Sequence, residues 1–176
     1  MSKIGPEAAD ELFKVKIYRS RLDEAEGFNE VWGIVKDTVK DSLGEHRVGM
    51  LLFLDDLPLQ LGAYHPLGTN NMVLNRVLID IVQAVRKPKR FVNSFVYSLL
   101  VHEYLHALGH ISEVQVRSLV YKISRQCFDD DHIVTRLAEK SPWVLLKDIP
   151  FNAIEAPRRA MEIVKDFEKS NQRYIV

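Results

Sequence analysis

Apolar residues keep a helical rhythm in the first 45 positions, form short continuous blocks around position 50, and return to helical spacing from position 77 onward. Residues 7–26 predict a charged amphipathic helix, with Leu12, Val15, Ile17 and Leu22 as a loose stripe that Gly27 interrupts. Residues 29–43 predict a second helix, because Val31, Ile34, Val35, Thr38, Val39 and Leu43 follow helical spacing. Asn29 is its expected N-cap and Gly44 its C-cap. Val48 to Leu54 is continuously apolar and short, which predicts a strand buried on both faces. Leu59 to His65 and Met72 to Leu74 read as two further strands around the turn formers Pro66 to Asn71.

Helical spacing then resumes with Val77, Leu78, Ile81, Val82 and Val85, and the run Lys87 to Arg90 closes that element as a solvated loop. Residues 91–108 are apolar on most of a helical circumference and predict the central buried helix, with Gly109 as its stop. Ser112 is placed to cap the next helix, whose inner face is Val114, Val116, Leu119, Val120 and Ile123. Asp129 to Asp131 break it, a short helix runs from His132 to Lys140, and Ala156 to Lys169 predicts a last amphipathic helix before an apolar tail. The order predicts an α+β fold, a small and mainly antiparallel sheet packed on a helical layer. One domain of 176 residues is expected, with a core at 46–127 between helical extensions at 1–45 and 128–176.

Composition narrows the classes. Lys plus Arg and Asp plus Glu both number 24, so a nucleic-acid binder that relies on a global positive field is not expected. The lone Cys127 excludes an internal disulfide and is expected to be a small buried core residue. No apolar leader or membrane-length run is evident, so a cytoplasmic protein with no membrane partner is expected.

The residues that carry chemistry are His102-Glu103-Tyr104-Leu105-His106, the pattern H-E-x-x-H. On a helix, two imidazoles four residues apart stand on one face about 6 Å apart along the axis, and their nitrogens can converge on one Zn²⁺. Glu103 points to a neighbouring face as general base toward a water whose pKa the zinc lowers to about 7. A catalytic zinc takes three protein ligands as a rule. Glu113, just past the Gly109 turn, is the favoured third. His110 is the alternative, although on an unbroken helix it would stand about 12 Å from His102. The cluster Asp129-Asp130-Asp131-His132 reads as a solvated turn before it reads as a ligand set.

HEYLHALGH followed by Ser-Glu, after the segment GAYHPLGTNNMVLNR, resembles the minigluzincins, minimal gluzincin-type zinc metallopeptidases of archaea. The resemblance covers residues 46–127 and leaves the first 45 without a counterpart. It implies a glutamate helix beginning at Ser112 with Glu113 as ligand, and a strand at Gly62 to His65 over the cleft that holds extended peptides by β-augmentation. It also implies an oxyanion-stabilising Tyr or His, for which Tyr64, His65 and Tyr97 qualify by type. Tyr64 and His65 are the expected substrate-binding residues. Latency is implied too, with a C-terminal segment across the cleft, so trimming after Lys140 is expected to raise activity.

The expected function is thus a zinc-dependent metalloendopeptidase acting on peptides or unfolded protein. One alternative is a zinc-binding regulatory or interaction domain with lost peptidase activity, which a fourth protein ligand would favour. Another is a metal hydrolase with a non-peptide substrate.

Overall fold

The structure, a computed structural model, describes residues 5–155 and 158–168. The chain opens with two helices, α1 (Pro6–Glu24) and α2 (Phe28–Leu43). Strands β1 (Leu51–Asp55), β2 (Ala63–Tyr64) and β3 (Asn71–Asn75) follow. Four helices come next: α3 (Arg76–Val85), α4 (Arg90–Ala107), α5 (Glu113–Phe128) and α6 (Ile133–Glu139). A 3-10 turn at Pro142–Leu146 leads toward a last strand, β4 (Glu162–Ile163). The fold is α+β, a small sheet packed on helices.

The sheet is mixed, with strand order β2-β3-β1-β4. Two of its three pairings are antiparallel, β2 with β3 and β1 with β4, but the longest, β1 with β3, is parallel. The connection over residues 56–70 is long enough for the crossover of about a dozen residues that parallel neighbours need. β1 is shorter than its apolar run. Val48 lies outside the strand and is exposed, and burial alternates along Leu51 to Asp55. The expectation of a strand buried on both faces is therefore corrected: Leu52 and Leu54 face the core, while Leu51 is open to solvent.

Local chemistry sets the helix ends. Gly27, not Asn29, occupies the N-cap of α2, and Gly44 closes the helix in the left-handed region at φ 69°. The Asn75 side chain caps α3 by accepting from the Val77 amide. Its amide nitrogen donates to the carbonyls of Leu57, Pro58 and Leu61, which pins the loop that leads into β2. One buried asparagine thus joins the edge strand to the sheet and the next helix.

One core runs from Tyr18 to Phe167. α4 lies in its middle, burying Phe95, Tyr97, Leu100, Val101, Tyr104 and Leu105. α2 is part of this core: Trp32, Val35 and Val39 are buried, and the Trp32 ring meets Tyr104 edge-on at 4.7 Å. Residues 158–168 form no helix, contrary to expectation. Met161, Val164 and Phe167 are spaced as on a helical face, but the backbone is held extended by β4 pairing with β1 and by Arg159 donating to Asp56. Phe167 stacks on Trp32 at 5.0 Å, and Glu168 accepts from the Met50 amide. The expected tail at 171–176 lies outside the described residues.

Candidate metal centre

The middle of the H-E-x-x-H segment anchors α4. Tyr104 and Leu105 are fully buried, and the Tyr104 hydroxyl accepts from the Arg47 amide. The Arg47 guanidinium in turn donates to the Ala107 carbonyl at the end of the helix. With that face fixed in the core, His102 and Glu103 line a cleft of about 550 Å³, and His106 stands one turn further along beside His102. Gly109, at φ 104°, then ends the helix and turns the chain into α5, where Ser112 accepts from the Gln115 amide. This turn brings Glu113 back over α4.

His102, His106 and Glu113 converge. Glu113 Oε1 lies 2.9 Å from His106 Nε2 and Oε2 lies 3.2 Å from His102 Nε2, and the two Nε2 atoms are 3.3 Å apart. Ligand atoms at about 2.0–2.1 Å from a tetrahedral zinc would stand about 3.3 Å from one another. Hydrogen-bond logic agrees with this spacing. His106 Nδ1 lies 2.8 Å from the His110 carbonyl, which can only accept, so Nδ1 carries the proton and a neutral ring leaves Nε2 bare. That lone pair faces a carboxylate oxygen and a second imidazole nitrogen. With Nδ1 protonated on His102 as well, three acceptor atoms would meet here, and a donor set of two imidazoles and a carboxylate could hold a metal ion such as Zn²⁺.

His110 does not join this group. Its Nε2 pairs with Glu45 at 3.0 Å, and only its backbone carbonyl serves the site. The acidic cluster is likewise engaged elsewhere: Asp131 with Arg19, Asp130 with Arg125, and the buried His132 with Asp23.

Glu103 is buried beside the centre, 8% exposed, and belongs to no salt bridge among the described residues. Burial pushes its carboxyl up to about 7, with Glu113 adding to the rise, while His106 and the His65 backbone amide oppose it. Burial also pushes the His102 imidazole below its usual value; Glu113 opposes that shift, and the charges of His106 and Arg117 add to it.

β2 is an edge of the sheet and runs beside α4 at the cleft. Gly62 allows this approach: a Cβ there would lie 2.9 Å from Leu99 Cδ2 and 3.9 Å from the Trp143 ring. The expected substrate-binding residues sit differently from their backbone. Tyr64 and His65 are half-buried outside the cleft lining, and His65 Nδ1 bonds to the Asn71 carbonyl at 2.8 Å. Tyr97 is removed from the site altogether; it is fully buried, and its hydroxyl bonds to Thr38 at 2.8 Å. Its place is set by helical phase, five positions before His102 and on the core face of α4.

Four contributors were not foreseen: Asn75, Glu45, Arg117 and Trp143. Arg117 alone left a signal, since it stands four residues after Glu113 and so shares its helix face. No family model, curated protein or solved structure matches the chain, so the resemblance to minigluzincins rests on the motif residues themselves.

Proposed function

We propose that the protein is a zinc-dependent metallopeptidase with His102, His106 and Glu113 as ligands and Glu103 as general base. The observation that carries this reading is the convergence of two imidazole nitrogens and a carboxylate at 2.9–3.3 Å, with the buried Glu103 carboxyl beside them at an open cleft. A bound zinc supplies Lewis-acid polarisation of a carbonyl and acidifies a water. Glu103 would serve as the proton acceptor for an attacking water in the cleft and would hand the proton on to the leaving amine, a role suited to a carboxyl raised by burial. The edge strand favours peptides over other hydrolysable substrates, because its free backbone groups can pair with an extended chain.

The same reading includes partial self-cover. The segment 137–143 forms one wall of the cleft, with Trp143 beside Gly62 and Leu99. The test is cleavage of unfolded casein by zinc-loaded full-length protein. Glu103→Gln should retain zinc and fold while turnover falls by at least about a hundredfold. Loss of zinc in that variant would make Glu103 a ligand, and undiminished cleavage would remove it from the mechanism.

A further inference from the structure

A glutamate and an arginine one helical turn apart on an exposed face usually pair with each other. Glu113 and Arg117 have that spacing on α5, but both Glu113 oxygens are turned to the histidines. Arg117 is left in the lining of the same cleft and forms no ion pair among the described residues. Arg117 itself is exposed at the rim of this cleft, whose lining also includes the apolar Leu99, Val120, Leu137 and Trp143. The remaining charges in the lining beyond the centre, Glu139 and Lys140, offset each other. With a divalent cation held, Glu103 and Glu113 are balanced, so Arg117 is the uncompensated charge of the cleft.

A guanidinium offers a rigid fork of donors that matches a carboxylate in two parallel bonds. One turn along α5 is about 6 Å, which is the span of about two residues of extended peptide. We propose that Arg117 is the specificity-determining residue of this cleft and holds a substrate carboxylate within about two residues of the scissile bond. The carboxylate is either an acidic side chain or the free C-terminus of a short peptide. This rests on the peptidase reading given above.

The test is arranged so that the two can fail separately. Fluorescently labelled peptides are titrated by anisotropy into zinc-loaded full-length Glu103→Gln protein, which binds without cleaving. One pair differs only by Glu against Gln, and a second pair only by a free against an amidated C-terminus. One pair should show at least about a tenfold preference for the carboxylate form, and which pair does so identifies the source. Arg117→Ala should abolish the preference, Arg117→Lys should restore part of it, and Arg117→Glu should reverse it. No preference in the Arg117 protein overturns the proposal, and so does an equal loss for both members of a pair on Arg117→Ala. The same peptides are then given to protein with Glu103 intact. Cleavage without preference leaves the peptidase reading standing alone, whereas preference without cleavage keeps the carboxylate site and removes the peptidase.

Discussion

His106 uses both ring nitrogens, one on the His110 carbonyl and the other toward Glu113 and His102. The carbonyl belongs to the backbone, so it survives replacement of the His110 side chain. Glu113 has no such substitute. We therefore expect Glu113→Ala to weaken zinc by more than about a hundredfold and His110→Ala by less than about tenfold in a chelator competition titration. The reverse ranking would return His110 to the ligand set. At this scale the sequence was legible wherever a spacing has one geometric outcome: i and i+4 on a buried helix put His102 and His106 together, and a glycine turn lets Glu113 come back. Residue type alone did not place Tyr97. Tyr97 qualified as an oxyanion donor by type, but its helical phase sends it into the core against Thr38.

Among the elements, β4 is the one the pattern hid. Its residues carry helix-like apolar spacing, and what holds them extended is a cluster made by residues far apart in the chain. Arg76 and Arg159 both donate to Asp56, which is almost wholly buried. Burial would raise the Asp56 carboxyl, but the bonds from Arg159 and Arg76 outweigh it and hold it below the usual carboxylate range. A carboxyl depressed in the folded state adds stability above its unfolded pKa of about 4, and this is lost as pH falls through the folded value. Asp56→Asn should therefore cost about 3 kcal/mol at neutral pH, by leaving the buried Arg76 only its longer contact to the exposed Glu162 carboxylate. Chemical denaturation at pH 7 and at pH 3 measures this, and the gap between variant and parent should narrow in acid. A gap that is constant with pH would mean the cluster acts by packing. The Gly44 and Ser112 caps were legible because such a cap is local, whereas this ion cluster joins Asp56 and Arg76 to Arg159, about a hundred positions away, and leaves no periodicity to read.

Over the whole molecule, the segment after α6 closes the core as well as bordering the cleft. Leu145, Leu146 and Phe167 are buried, and Phe167 stacks on the Trp32 ring. Losing one large buried aromatic costs about 3–5 kcal/mol, and total stability is about 5–15 kcal/mol. Trimming after Lys140 should therefore abolish the cooperative thermal transition, so any cover by Trp143 is better tested by Trp143→Ala, which leaves those three residues in place. A trimmed protein that melts cooperatively near the parent temperature would contradict this packing. β4 pairs at the sheet edge opposite β2, which leaves the outer side of β2 without a strand partner among the described residues. Among those residues no helix is long and apolar enough to cross a membrane.

The proposed activity depends on one candidate metal centre, and its occupancy can be measured directly. Full-length protein purified without chelator and analysed by atomic emission should carry about one zinc per chain, and His106→Ala, still folded by circular dichroism, should carry almost none. A parent protein without zinc, or stoichiometric zinc retained in His106→Ala, would contradict the account.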